Sequence, residues 1–346
     1  MSLPPLKPLN PLNELAWDER VLSSGSTCVF HSRAWIKTLV ESYGFEPVCL
    51  TRTCDQTFDV LIPLIQAQSW ATARRGVSLP FSDYCQWLLP EKDQGSVFLQ
   101  IYDEGRRRGW RYLETRNGMH WPESAPAFER VWHHELTLTP LPGTLWNGLT
   151  PSVRTALRKA QKAGVEVRFT RDLSDLRIFY ELHSLTRRNQ GIPPQPWMFF
   201  KNLYRNVIAP GLGEIGIAHQ KGVPLATALY LYFGHSALYK YGASAPHLLT
   251  FRGNNALMWE AITRCAQNGF TQLSLGRTDL ANEGLRRYKL GWGCRESPLD
   301  YFRYDYRLGT FLTKPGSPPQ WPHRVIRNSP LLLVKLAGKL LYPHRS

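Results

Sequence analysis

Apolar positions return at helical spacing most regularly after Thr150-Pro151, where Val153, Leu157 and Ala160 share one face of a helix that Gly164 closes. On another face Arg154, Arg158 and Lys162 stand at i, i+4 and i+8, a stripe of like charge that an anion would relieve and that a solvated surface would also carry. Upstream, β-rich runs predict strands over 47–52 and 59–66, joined by a turn-rich segment and followed by an irregular Pro/Gly/Ser stretch to Pro90. A helix over 95–108, with Val97 and Ile101 inward, leads through Gly109 into a short strand over 110–115, and another strand covers 134–139.

Downstream the order repeats with sharper elements. Strands over 214–219 and 223–233 flank the turn Gln220-Lys221-Gly222, and a third covers 237–243. A helix over 254–267 is broken by Gly269 before a strand over 270–275, and an alternating strand covers 299–307. Gly109-Trp110 with Leu113 and Gly269-Phe270 with Leu273 mark the same helix-to-strand junction twice. The matching order predicts two domains of one α/β type, a duplication whose first copy has drifted, and 346 residues suffice for two cores. The apolar run 331–342, interrupted by Lys335, Gly338 and Lys339 and preceded by the Pro/Gly-rich segment 314–322, predicts a helix that docks on the first domain or lies in a membrane interface.

Composition narrows the classes. Hydrophobic residues at 43%, with 12 Trp, 15 Tyr and 15 Phe, exclude wholesale disorder. Lys and Arg number 42 against 27 Asp and Glu, and the net charge of +15 points to a polyanionic partner: nucleic acid, a phosphorylated cofactor or an acidic membrane surface. The six cysteines form no C-x-x-C pair and no zinc-spaced cluster, so reduced thiols in a cytoplasmic protein and no metal are expected. Neither a secretory h-region nor a span of about 20 apolar residues is present, leaving at most peripheral contact with the inner face of a membrane.

Among motifs, Gly211, Gly213 and Gly216 spell G-x-G-x-x-G, but they follow Ala209-Pro210 and run into a hairpin strand rather than opening a helix, against a dinucleotide site. There is no P-loop, G-x-S-x-G elbow or H-E-x-x-H. His133 and His134 lack metal-spaced partners and read as structural, and Glu114-Thr115-Arg116 reads as an ion pair or a substrate contact. The block 276–293 is the most informative: it starts at the C-terminal end of a strand, where open α/β sheets place ligands, and gathers Arg277, Arg286, Arg287 and Lys289 among glycines.

Together these residues resemble the FemAB/FemX-type peptidyl and aminoacyl transferases, and especially the FemAB-related proteins of exopolysaccharide and PEP-CTERM/exosortase gene clusters. The resemblance covers roughly 28–307. Phe30-His31-Ser32 with Trp35, Pro80 through Cys85 and Leu113-Glu114-Thr115-Arg116 carry it in the first half. Arg154 through Val167, Thr186 through Pro194, Tyr239 through Ser244, Asn255 with Trp259, and the Gly-Arg-Thr to Lys-x-Gly-Trp-Gly block carry it in the second.

The resemblance implies an α/β (α+β) protein of two tandem GNAT-like domains with mixed, mostly antiparallel sheets: a degenerate copy over 1–145, a copy with the donor site over 146–308, and a tail over 309–346. It implies acyl or aminoacyl transfer to an amine in cell-envelope or exopolysaccharide biosynthesis, with acyl-CoA or aminoacyl-tRNA as donor substrate and no tightly bound cofactor. The acceptor would be a sugar, peptide or protein amine. Arg252-Gly253-Asn254-Asn255 stands where the GNAT pyrophosphate loop would read R/Q-x-x-G-x-G/A, and no segment is long enough for the Fem helical arm, so both donors stay open. Lys289 corresponds to the basic residue that would face developing negative charge, while the strand 237–243 would offer N–H groups to the carbonyl. On this reading Lys289→Ala lowers turnover far more than stability. Asp279, Tyr241 and Glu283 compete as base with proton loss through the leaving group. Trp35, Asp83, Tyr84, Arg154, Arg277, Arg287 and Asn255 are expected to bind substrate. A nonenzymatic RNA-binding protein and a membrane-peripheral scaffold are the alternatives from other classes.

Overall fold

The computed structural model describes residues 4–69, 72–116, 125–314 and 321–344. Most of the Pro/Gly-rich segment 314–322 lies outside the described residues. Two compact units emerge: residues 1–131, 298–316 and 341–346 form one, and 132–297 with 317–340 the other. These bounds differ from the division at 145 and 308 expected from the sequence. The chain changes unit inside two strands, β8 (Glu129–Thr137) and β14 (Arg295–Asp305), where a continuous β-rich run carries no composition shift to mark a boundary.

The first unit opens with β1 (Lys7–Leu9), α1 (Trp17–Ser23) and α2 (Arg33–Tyr43), the last capped by Ser32 Oγ on the Trp35 N–H and closed by Gly44 at φ +69°. Strands β2 (Glu46–Pro47), β3 (Cys49–Cys54), β4 (Thr57–Ile62), β5 (Ile65–Ser69) and β6 (Thr72–Val77) precede α3 (Gln94–Arg107) and β7 (Tyr112–Thr115). One small sheet has the order β1-β3-β4, and a second runs β2-β5-β6-β7-β14, with β15 (Thr310–Phe311) pairing β14. The hairpin expected over 47–66 is therefore β3-β4, but the supposed irregular stretch after it contains β6, whose Arg74-Arg75-Gly76 centre hides its β character. Within it Arg75 is 1% exposed and Gly76 lies flat against the Trp110 ring. β6 and β7 pair in parallel through Gly76↔Leu113 and Val77↔Glu114, with α3 as the crossover between them.

The second unit begins with α4 (Pro142–Asn147) and α5 (Pro151–Lys162), whose Val153, Leu157 and Ala160 are buried as the periodicity requires. Then follow β9 (Glu166–Thr170), α6 (Leu173–Asn189), α7 (Trp197–Leu203) with a π turn to Ile208, β10 (Gly213–Gln220), β11 (Val223–Phe233) and β12 (Ser236–Ser244). Helix α8 (Gly253–Gln267), β13 (Gln272–Asp279) and α9 (Glu283–Leu290) complete the run. The strands order as β8-β13-β12-β11-β10-β9; β9 to β12 pair antiparallel and β12 pairs β13 in parallel. Gly216 on β10 leaves room for α8, since a Cβ there would stand 2.6 Å from Leu257. That packing role accounts for this glycine of the motif.

Both predicted junctions recur in the structure. Gly109 at φ +67° and Gly269 at φ +81° each end a helix and release the chain into a strand parallel to the one before the helix. After β14 and β15 come α10 (Trp321–Asn328) and α11 (Leu331–Leu341). The sequence reading leaves this tail helix either docked on the first domain or lying in a membrane interface. The helix contacts Tyr180, Glu181 and Pro194 of the second unit, and beyond it Tyr342 and His344 contact Phe81 and Arg75 of the first.

Candidate active site

In the second unit β12 and β13 are hydrogen-bonded neighbours only over Ser236↔Gln272, Ala237↔Leu273 and Leu238↔Ser274. Both then continue, β12 to Ser244 and β13 to Asp279, so the two parallel strands part and open an edge between them. Just beyond the last paired residue β12 carries a bulge. Leu229 faces Tyr241 and Tyr230 faces Tyr239 across the β11 ladder, leaving Lys240 as the extra residue. Alternate residues of a strand share a face; the inserted Lys240 breaks that rule. Tyr239 goes to the α8 side, 5.7 Å ring to ring from Tyr230, while Tyr241 goes to the α6/α7 side among Phe179, His183 and Phe200.

The end of β13 is held from α9. Asn282 caps that helix through Oδ1 on the Leu285 N–H, and at its penultimate position Lys289 points inward, 3% exposed. Its ammonium donates to the carbonyls of Gly276 (3.1 Å) and Arg277 (2.8 Å), which the φ of +69° at Gly276 turns towards it. Within the block 276–293, residues Glu283–Leu290 thus form a two-turn helix. Arg286 on its other flank makes a bidentate pair with Glu296 (2.8 and 2.9 Å) and stacks 4.8 Å above Trp132; its hydrogen bonds hold the Glu296 carboxyl below the usual range. His134 lies fully buried nearby, Nδ1 3.9 Å from Glu296, and burial, reinforced by the charge of Lys289, lowers its pKa to about 4. It is neutral at pH 7, and neither ring nitrogen has a hydrogen-bond partner among the described residues.

The expected site residues divide. Lys289, Arg277 and Asp279 meet at the end of β13; Asp279 is exposed and lies 3.8 Å from Arg277. Tyr241 donates its hydroxyl proton to Gln195 Oε1 at 2.6 Å. Asn255 stands in the first turn of α8, its N–H on the Arg252 carbonyl, and Arg252 itself sits in the left-handed region at φ +62°. Arg154 lies in the first turn of α5, beside the Lys-Leu-Gly-Trp-Gly end: the Thr150 N–H donates to Gly291 O at 3.0 Å, and Gly291 has Val153 against it. Arg287 is exposed on α9.

The remaining three belong to the first unit. Trp35 is fully buried against Phe30, a core residue rather than a substrate contact, because its face of α2 packs inward. The Asp83 carbonyl accepts from the Tyr301 hydroxyl, and Tyr84 packs on Val131, Leu299 and Tyr301. Glu114 proves to be an ion pair: 3% exposed, it binds Arg116 and Arg303, whose charges outweigh the upward push of burial and hold its carboxyl below the usual range.

Residues 151–293 match the model of the GNAT acetyltransferase domain. A solved structure of FemX superposes with a TM-score of 0.68 over 85% of this chain and 96% of its own, at 13% identity. The fold is that of a tandem GNAT protein. A tandem GNAT protein from the clavulanic acid biosynthesis pathway aligns at TM-score 0.50 (10% identity, 87% of this chain, 98% of that one). The N-myristoyltransferase of Saccharomyces cerevisiae with bound myristoyl-CoA does so at 0.50 (11% identity, 90% and 84%). Among curated proteins no sequence relative matches. Within the GNAT frame, β12 and β13 are the parting parallel strands and α8 the helix that opens beside them. The Lys240 bulge and the Tyr241-Gln195 hydrogen bond escaped the sequence reading, because an i, i+2 spacing of tyrosines is that of any regular strand.

Proposed function

We propose that the second unit is an N-acyltransferase in which the edge between β12 and β13 holds an activated acyl or aminoacyl donor. The observation that carries this is the three-residue pairing followed by divergence, with the Lys240 bulge at the point of parting. In the first unit the equivalent strands stay together to their ends, Ser78 N–H still reaching Glu114 O at 2.8 Å, so the donor belongs to the second copy. The bulged backbone of β12 would face the donor carbonyl, and the amides opening α8 at Gly253 and Asn254 suit the phosphates of acyl-CoA or of a tRNA end.

In the reaction the acceptor nitrogen attacks the carbonyl carbon and the carbon–oxygen π pair moves onto oxygen. Collapse then expels the thiolate or ribose alkoxide, which takes up the proton lost by nitrogen. Positioning alone supplies about 7 to 11 kcal/mol of such a barrier, and one oxyanion donor about 3 to 4. No strongly basic side chain is therefore required; Asp279 stays a candidate base, while Tyr241 acts through Gln195 and Lys289 by holding the β13 carbonyls in place. The acceptor is an amine on a sugar, peptide or protein of the cell envelope or of an exopolysaccharide. The test offers acetyl-CoA, longer acyl-CoAs and charged tRNA in parallel with an amino-sugar and peptide mixture, and follows donor deacylation by mass spectrometry. Consumption of one donor fixes its class, RNase sensitivity marking the tRNA arm; consumption of none refutes the proposal.

A further inference from the structure

Helix α11 docks by its small face and shows its leucines outward. Val334 is buried, and Gly338 lies so close to the 193–194 segment that a Cβ would stand 2.0 Å from Pro194 O. Lys335 Nζ donates to both oxygens of Glu181 (2.6 and 2.8 Å) over the Tyr180 ring. Before it, His323 of α10 lies against Gly191, Nδ1 3.0 Å from its carbonyl. These contacts fix the helix's rotation. At 100° per residue, Leu332, Leu336, Leu340 and Leu333 then fall in one sector of about 100° on the far side. They are 69%, 49%, 69% and 56% exposed.

A continuous apolar row on a helix already held by its other face marks a surface meant to be covered. Its surroundings indicate by what. Residues 321–344 carry Arg324, Arg327, Lys335 and Lys339 and no Asp or Glu, although the chain has 27 acidic residues elsewhere. Arg324 and Arg327 are exposed on α10 beside Val325, and Lys339 borders the leucine stripe. Protein interfaces enrich aromatic side chains in the apolar centre and pair their charges. Here no aromatic stands among the four leucines, and apart from Lys335 on Glu181 these cations have no ion pair among the described residues, which suits an acyl layer beneath anionic headgroups.

We propose that the outward face of α11 seats the protein on an anionic bilayer, the leucines in the headgroup–acyl boundary and Arg324, Arg327 and Lys339 on the lipid phosphates. No helix among the described residues is long and apolar enough to cross a membrane, so the contact is interfacial. The full chain is co-sedimented with vesicles of equal parts phosphatidylglycerol and phosphatidylcholine, and with phosphatidylcholine alone, at low and high salt. Binding to the anionic vesicles that weakens in salt is expected. The triple change Leu332→Gln, Leu336→Gln, Leu340→Gln lowers affinity by more than about tenfold, and Arg327→Glu with Lys339→Glu by at least about fivefold per cation. Every replaced side chain is exposed, and a melt of each variant checks that the fold persists. Parent protein that stays in the supernatant, or a leucine variant that binds like the parent, overturns the proposal. So does a parent dimer that the leucine changes turn into monomer while vesicles capture neither. Acyl transfer is not part of the readout, so the membrane face and the transferase site stand or fall separately.

Discussion

Lys289→Met retains the length and packing of a side chain that is 3% exposed and removes only its ammonium. Two carbonyls, Gly276 O and Arg277 O, lose donors at 3.1 and 2.8 Å. Each buried acceptor left without its partner costs about 1 to 3 kcal/mol. Relief of the penalty for burying a cation returns part of this, which leaves a net loss of about 2 to 4 kcal/mol. For a unit of this size that corresponds to a fall in melting temperature of roughly 5 to 15 °C. The sequence reading expects turnover to suffer far more than stability, and the burial of the ammonium alters that balance. The assay is a thermal melt paired with amide exchange at Arg277 through Asp279, where opening should accelerate first. A variant that melts with the parent, keeps its exchange pattern and yet loses all acyl transfer would refute this reasoning and put the ammonium at the reacting carbonyl.

Other perturbations follow from the same structure. Burial lowers His31 and His134 to about 4 and His183 to about 3, from an ordinary 6.5. The unfolded chain therefore protonates first, so stability is complete above about pH 6.5 and falls towards about pH 4, by up to about 1.4 kcal/mol per pH unit for each histidine; a urea midpoint that does not move between neutral and mildly acidic pH would contradict their burial. Glu114→Ala removes the shared carboxylate from Arg116 and Arg303 and should cost about 3 kcal/mol in the first unit, read by denaturant titration. Gly76→Ala drives a Cβ to 2.3 Å from the Trp110 ring, which is pinned by its Nε1 on Gln66 Oε1, and should cost about 1 to 3 kcal/mol. Tyr241→Phe removes the hydrogen bond to Gln195 Oε1 at about 1 kcal/mol; on the present proposal the acidic limb of the pH–rate profile stays in place, and its loss would make Tyr241 the base.

Elements with strong local signals were legible. The α5 stripe, the hairpin β10-β11 with its Lys221-Gly222 turn, and both glycine-terminated helices stand where periodicity and turn chemistry put them. What escaped depends on tertiary context. β6 reads as polar because Arg74 and Arg75 lie within it, yet Arg75 is enclosed, donating to the His344 carbonyl from the far end of the chain. Helix α9 hides among glycines, and its inward lysine is satisfied only by backbone carbonyls that no sequence pattern specifies.

The duplicated order also explains where the chemistry can lie. A helix crossover between parallel strands forces the two strands to start side by side, but nothing in that connection keeps them together. In the first unit the pairing of β6 with β7 runs to Val77 and Glu114, within one residue of both strand ends, and there the buried Glu114 is locked between Arg116 and Arg303. In the second, β12 runs on through Lys240-Tyr241-Gly242, where the bulge turns neighbouring tyrosines to opposite faces and Gly242 leaves the space that the Tyr239 hydroxyl fills. An extra residue in one strand and an ion pair at the end of the other thus separate an open copy from a closed one, although both carry a crossover helix, a left-handed glycine after it and an aromatic residue next, Trp110 in one and Phe270 in the other.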